Sequence, residues 1–275
     1  MLKIITDSTT YMPYSFAKEN NITVLPLTVL FNDVEFKEGF PGSFDAFFED
    51  FKDTKKMGKT SQPSVGLFID AYNEVINSGD EAICITISKY LSGTYETACM
   101  IKNQVDTENK ISVIDSGSCC QSIWGLIQEI IELDKQGKSR QEIVAHIENM
   151  KKYSKVFFVP DSLDHLHHGG RISKLNAVLG NILQFKPMFE FYNSTLSIKK
   201  KVLGIQKAIK ELVSLIPETA KKIFVLRIAK SKFYDMFFNK IKEKFSNIPV
   251  IESEVGPVMS IHVGPAIGVG YLAEK

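Results

Sequence analysis

Nowhere does the chain reach the roughly 18 uninterrupted apolar residues that a membrane-spanning helix needs, although 44% of its 275 residues are hydrophobic. Its opening, MLKIITDST, reads as a strand rather than a signal peptide, so the expected location is the cytoplasm. Cysteine is scarce: Cys84 and Cys99 lie in apolar settings, Cys119 and Cys120 are neighbours, and no C-x-x-C occurs. That pattern argues against disulfides and zinc and for plain thiols. A nucleophile elbow is excluded because no G-x-S-x-G is present. Gly58-Lys59-Thr60 resembles the tail of a phosphate-binding loop, but that pattern wants glycine where Asp53 stands, and Pro63 follows at once. No nucleotide or other cofactor site is expected. His165 and His168 are spaced for one helical face, yet no carboxylate or cysteine completes a metal set, so a surface or capping role is expected and no metal.

Arginine is also rare. After residue 153 the only guanidinium groups are Arg171 and Arg227, while lysine is plentiful. Residues 1–153 carry 15 basic against 22 acidic side chains, a net of −7, and the remainder carries 18 against 10, a net of +8. The asymmetry fits two solvated surfaces that attract each other. It also fits a basic half facing a lipid surface or an acidic partner. Nucleic acid is disfavoured, because the lysines lack regular aromatic interleaving.

What is present is an alternation of strand and helix patterns. LKIIT, NITVLPLTVLF, EAICITIS and KISVID are short β-rich runs with helical patterns between and after most of them. Val65, Phe68, Ile69, Tyr72, Val75 and Ile76 keep helical spacing, with Ser64 as N-cap and Gly79 as stop. Ser139-Arg-Gln-Glu142 spells a capping box. The expectation is an α/β domain over residues 1–153 built on a mainly parallel sheet, then a mixed α+β domain over 154–275. In the second part, strands are expected at KVFFVP, KPMFEFY, LSIKKKV, IFVLRIA and VIESEV, and helices over 205–216 and 231–245. The stripe from Leu175 to Leu183 reads as an amphipathic helix, first of all an ordinary packed one and otherwise a candidate for a moving element beside the lysine-rich face.

Two loops stand out chemically. KTSQPS (59–64) precedes a helix, and SGTY (92–95) follows a strand and opens another. Helix starts at the carboxyl ends of strands offer unpaired N–H groups and a partial positive charge. Thr60, Ser61, Ser92 and Thr94 add hydroxyls, and Gly93 allows close approach to the backbone, so the pair suits an oxyanion. Helix caps and turns use the same residue types, and loop chemistry alone leaves both readings open. An enzyme alternative is a serine esterase acting on acyl substrates, with Ser61 or Ser92 attacking, His262 as base and Asp7 or Asp115 as orienting acid.

Taken in order, ITDSTTYMP, TSQPS, LSGTY, VIDSGS, LDHLHHGGRIS, LQFKPMFEF and EVGPVMSIHVGPAIGVGY resemble the DegV family of bacterial fatty-acid-binding proteins almost end to end. The resemblance implies a two-domain protein, not itself an enzyme, that buries one long-chain fatty acid and presents its carboxylate to a separate fatty acid kinase. The acyl phosphate so formed would feed phospholipid synthesis, and exchange of the lipid implies a transient contact with anionic membrane at the inner face. Carried over, the carboxylate contacts fall on Thr60, Ser92 and His262, with Ser61 and Gly93 beside them, and Arg171 faces the head group or the kinase. Lys201-Val202-Leu203 departs from the family spelling: Leu203 stands where relatives often carry arginine. His262, with an ordinary pKa of about 6.5, is the tunable group that a nearby anion would keep protonated, the alternative being a buried neutral imidazole bonded to backbone.

Overall fold

A computed structural model describes residues 1–52, 57–171, 185–192 and 195–273. The stripe at 175–183 lies outside the described residues. Four parallel strands open the fold: β1 (Leu2–Asp7), β2 (Ile22–Leu25), β6 (Glu81–Thr86) and β7 (Ile111–Asp115), in the order β2-β1-β6-β7. Their alternation decides the layers. Ile5 and Cys84 face one way, packing with Phe68, Tyr72 and Val75 of α3 (Val65–Asn77) and with Ala98 and Ile101 of α4 (Thr94–Val105). Ile4, Ile83, Ile85 and Ile114 face the other way, toward α5 (Gln121–Lys135) and α6 (Arg140–Met150). Ser64 is the N-cap residue of α3 without bonding through its side chain, and Gly79, at φ +74°, follows its end. The capping box forms as spelled: Glu142 N donates to Ser139 Oγ at 3.3 Å, and Ser139 N donates to Glu142 Oε2 at 2.9 Å.

The second sheet has six strands: β8 (Ser154–Pro160), β9 (Phe185–Tyr192), β10 (Thr195–Leu203), β11 (Ala220–Ile228), β12 (Val250–Val255) and β13 (Ala266–Ala273). Their order is β10-β9-β8-β13-β11-β12, antiparallel throughout except for the parallel pair β11/β12. One face is covered by α8 (Ile205–Ser214) and α9 (Tyr234–Lys244) through Leu212, Phe237 and Ile241. The other meets α5, where the rings of Trp124 and Phe224 lie 5.2 Å apart. Helix α5 is thus shared by both sheets, and one apolar cluster runs from Ile4 through Ile127 to Leu272.

NITVLPLTVLF does not form one strand. Pro26 has no N–H to give to a ladder, so β2 ends at Leu25 and β3 (Thr28–Phe31) starts a separate antiparallel sheet, β4-β3-β5, with β4 (Val34–Lys37) and β5 (Lys59–Ser61). The segment expected to be a pure loop therefore begins as a strand, with Val29 paired to Thr60. This small sheet stands over the carboxyl ends of β1 and β6. Those ends are tied by Asp7, whose Oδ2 accepts from Ile87 N at 2.7 Å. Two short helices complete this region, α7 (Asp164–His168) and α10 (Pro257–Val263).

Candidate functional site: a cavity beyond the strand ends

A cavity of about 470 Å³ opens where β1 and β6 end, within the range of roughly 300–1,000 Å³ usual for ligand pockets. All six residues that the resemblance placed at the head group or facing the kinase line it: Thr60, Ser61, Ser92, Gly93, Arg171 and His262. The rim is polar, with Ser61, Lys89, Gly93 and Arg171 exposed. The floor is apolar and buried: Leu27, Phe158, Leu166, Phe191, Leu196 and Val258 are all under 8% exposed. Among the described residues no carboxylate lines this cavity, whereas Lys89 and Arg171 both do. An anion entering head-out would meet hydroxyls and positive charge, and its apolar part would meet aromatic and branched side chains.

Thr60, in β5, and His262, in α10, are separated by 202 positions, and their Oγ1 and Nε2 atoms stand 2.7 Å apart. His262 Nδ1 is buried without a hydrogen-bond partner among the described residues, and it faces Gly169, where a Cβ would fall 2.8 Å away. Orphaned donors are rarer than under-used acceptors, so we assign the ring proton to Nε2. The imidazole then donates to Thr60 Oγ1 and leaves the threonine's own proton for an acceptor in the cavity. Burial first, then the charges of Arg171 and His165, hold the His262 pKa at about 4. With only protein around it the ring is neutral at pH 7, where the sequence reading had an anion keeping it protonated.

Ser92 Oγ accepts from Thr94 N at 3.3 Å and lies 2.8 Å from Thr94 Oγ1, which turns its remaining capacity toward the cavity. Thr94 itself is buried as the first residue of α4 and does not line the cavity. Gly93, at the N-cap of α4, stands against the side chain of Gln62, so that any Cβ would collide with the amide. Gln62 Nε2 in turn donates to Thr97 Oγ1 at 2.5 Å, pinning its loop to the opening turn of α4. Arg171 Nη1 donates to Gly169 O at 2.6 Å.

Sequence reasoning missed Lys89, Gln62 and the apolar lining. Lys89 carried a legible signal, since it sits in the same strand-to-helix loop as Ser92. Phe158 and Phe191 carried none, being two of 19 phenylalanines. Leu203 is 58% exposed, pairs with Phe185 across β9 and β10, and does not line the cavity. His165 departs from the expected surface or capping role: it is 1% exposed, its Nδ1 lies 3.1 Å from Ile261 O, and its ring packs 5.2 Å from Phe51. His168 is exposed, with Nδ1 3.0 Å from Asp164 O. The described residues include no cluster of three or more metal-ligating side chains, and the four cysteines are free.

Among the described residues the hydrolase alternative finds no triad. Asp7 is committed to Ile87 N and to Thr9 N at 3.0 Å, and Asp115 to Gly117 N at 2.9 Å and Lys89 N at 3.2 Å. Neither carboxylate reaches His262, whose Nε2 faces Thr60 rather than Ser61 or Ser92. An imidazole without an orienting acid and turned toward a threonine is poorly placed to activate either serine.

The sequence model of the DegV family, described as "Uncharacterised protein, DegV family", matches residues 1–274. A DegV domain-containing protein of Clostridium acetobutylicum is 35% identical over 284 residues, covering 100% of this chain and 98% of its own. Among solved structures, DegV, a fatty acid binding protein from Bacillus subtilis, superposes with a TM-score of 0.88 at 28% identity, covering 99% of each chain. A Thermotoga maritima protein with fatty acid binding function gives 0.85 at 25%, again over 99% of each. With the α/β fold, the cavity at the strand ends and these matches across its length, the chain belongs to the DegV family.

Proposed function

We propose that this protein binds one long-chain fatty acid, with the hydrocarbon on the apolar floor and the carboxylate at the rim, held by Thr60, Ser61, Ser92, Gly93 and His262. The observation that carries the reading is the composition of the cavity at the strand ends: hydroxyls and two cations at its mouth, no lining carboxylate among the described residues, and buried apolar side chains below. The Bacillus subtilis relative of the same fold is a fatty acid binding protein, which supports it. Burying about fifteen methylenes is worth roughly 12 kcal/mol gross, several times any one head-group bond, so the tail sets affinity and the head sets orientation. Organic extraction of the purified protein followed by mass spectrometry tests this directly. A copurifying long-chain acid is expected, and a protein that neither carries nor takes up such an acid refutes the reading.

The same proposal extends to a carrier role in the cytoplasm. The protein presents the carboxylate, beside Arg171, to a separate fatty acid kinase that supplies ATP and metal, and the acyl phosphate enters phospholipid synthesis. Thr60→Ala and Ser92→Ala are expected to lower acyl phosphate yield with the added kinase while the fold is kept; unchanged yield in both sinks this placement of the head group. Transient contact with an anionic membrane is supported by the exposed lysines of the second half, such as Lys207 and Lys210. Vesicles containing anionic lipid that fail to bind the protein at low salt would remove this element.

A further inference from the structure

Glu38 does not line the cavity, yet it touches both of its walls. It follows β4, is 3% exposed, and has no cation paired with it among the described residues. Its Oε2 accepts from Ser8 Oγ at 2.6 Å, and its Oε1 from Tyr11 Oη at 3.1 Å and from Val258 N at 2.8 Å. The shell continues outward: Tyr11 Oη accepts from Met259 N at 3.2 Å, and Ser8 Oγ from Leu27 N at 3.1 Å. A Cβ on Gly256 would fall 2.7 Å from Glu38 Oε1, so glycine is what lets the carboxylate reach the opening turn of α10. A buried carboxylate without a counter-ion is costly and persists where several donors would be orphaned without it. The nearby titratable groups are Asp7 at the end of β1, Tyr11, and Cys120 ahead of α5.

The contacts converge on the cavity. Val258 and His262 are four residues apart on α10 and therefore share a face, and both line the cavity. On the opposite wall Leu27 lines it too, directly before β3, which is paired to β5 and Thr60. Glu38 N also donates to Leu27 O at 2.8 Å.

We propose that Glu38 is a positioning residue of the cavity: its carboxylate fastens the opening turn of α10 to the wall made by Leu27 and β3, and so fixes His262 opposite Thr60. The functional part of this inference rests on the reading that Thr60 and His262 hold the head group. The fastening itself can be read without ligand, from the His262 ring.

The test follows the histidine ring signals by NMR from pH 8 to pH 5, assigned with a His262→Gln variant, and measures palmitate affinity in parallel. In the wild type and in E38Q, which keeps an acceptor for Val258 N, His262 is expected to stay neutral across the range. In E38L the unfastened helix should let water in, and the ring should titrate toward its ordinary midpoint of about 6.5, with palmitate affinity falling about tenfold or more. Y11F, which removes the acceptor for Met259 N, should shift both readouts in the same direction by less, and it serves if E38L does not fold. Ile241→Ala, in the core on the far side of the second sheet, should lower the melting temperature without moving His262. The inference is overturned if His262 stays neutral in both E38L and Y11F, or if Ile241→Ala shifts it equally. A protein whose His262 responds as expected but which binds no palmitate supports the fastening and refutes the head-group reading alone.

Discussion

Thr60→Ala probes the candidate site at its centre. The hydroxyl stands between His262 Nε2, at 2.7 Å, and the cavity, and a hydrogen bond to a charged group contributes about 1.5–3 kcal/mol. Its loss should be felt at the lower end of that range, because the imidazole freed from Thr60 becomes available as a donor. Palmitate dissociation constants should therefore rise about tenfold, equivalent to about 1.4 kcal/mol. Hexadecan-1-ol has the same chain and a neutral head, whose bond is worth about 0.5–1.5 kcal/mol, so its affinity should fall only a few-fold. The tail's contribution is untouched, so the variant should still bind. Displacement of a fluorescent polyene fatty acid at pH 8 measures both ligands in one format. Equal losses for acid and alcohol would show that Thr60 shapes the tail path, and palmitate affinity kept within a factor of two would show that it does not meet the carboxylate at all.

Three further outcomes follow from the geometry. Burial raises Glu38 from 4.5 to about 7, so the folded protein keeps a proton there that the unfolded chain has released. The corresponding stability is present below pH 4.5 and lost as pH rises through 7; thermal melts should show E38Q gaining on the wild type by about 2 to 3 kcal/mol between pH 5 and pH 8, and a constant gap would mean that the carboxyl titrates normally. Leu203→Arg places a cation where the family spelling implies one, but on an exposed strand end away from the cavity lining. Palmitate affinity should stay within about twofold and stability within about 0.5 kcal/mol in denaturant titration, and a large gain in affinity would place that side chain at the head group. Leu196→Trp adds bulk to the buried floor, so the copurifying or competing acids should shift toward shorter chains by mass spectrometry, and an unchanged length distribution would move the tail elsewhere.

Features fixed by short-range chemistry were legible in the sequence. Ser139 and Glu142 lie three residues apart and form the box they spell, and the runs around Ile5 and Cys84 are near-continuous apolar stretches, as strands covered on both faces are. Pro26 was readable in principle, since a residue without an N–H interrupts a ladder, but the length of the apolar run masked it. Glu38 could not be found this way: its partners Ser8, Tyr11 and Val258 lie 30, 27 and 220 positions away. Distance in sequence also hid the fate of His165, which burial against Ile261 and Phe51 turns from a surface candidate into a core side chain. Thr60 and His262 came together on paper only through the family resemblance, because periodicity carries no information across 202 residues.

Strand β13 enters the middle of its sheet, between β8 and β11, and all eight of its residues are buried. A growing polypeptide emerging from the ribosome cannot zip that sheet until Ala266–Ala273 has been made, by which time α10 and both cavity walls have already been synthesised. Long-range pairing of this kind is slow and leaves apolar edges open meanwhile. Chains cut short before β13 are therefore expected to leave the second sheet unpaired at its centre and to be cleared by proteases.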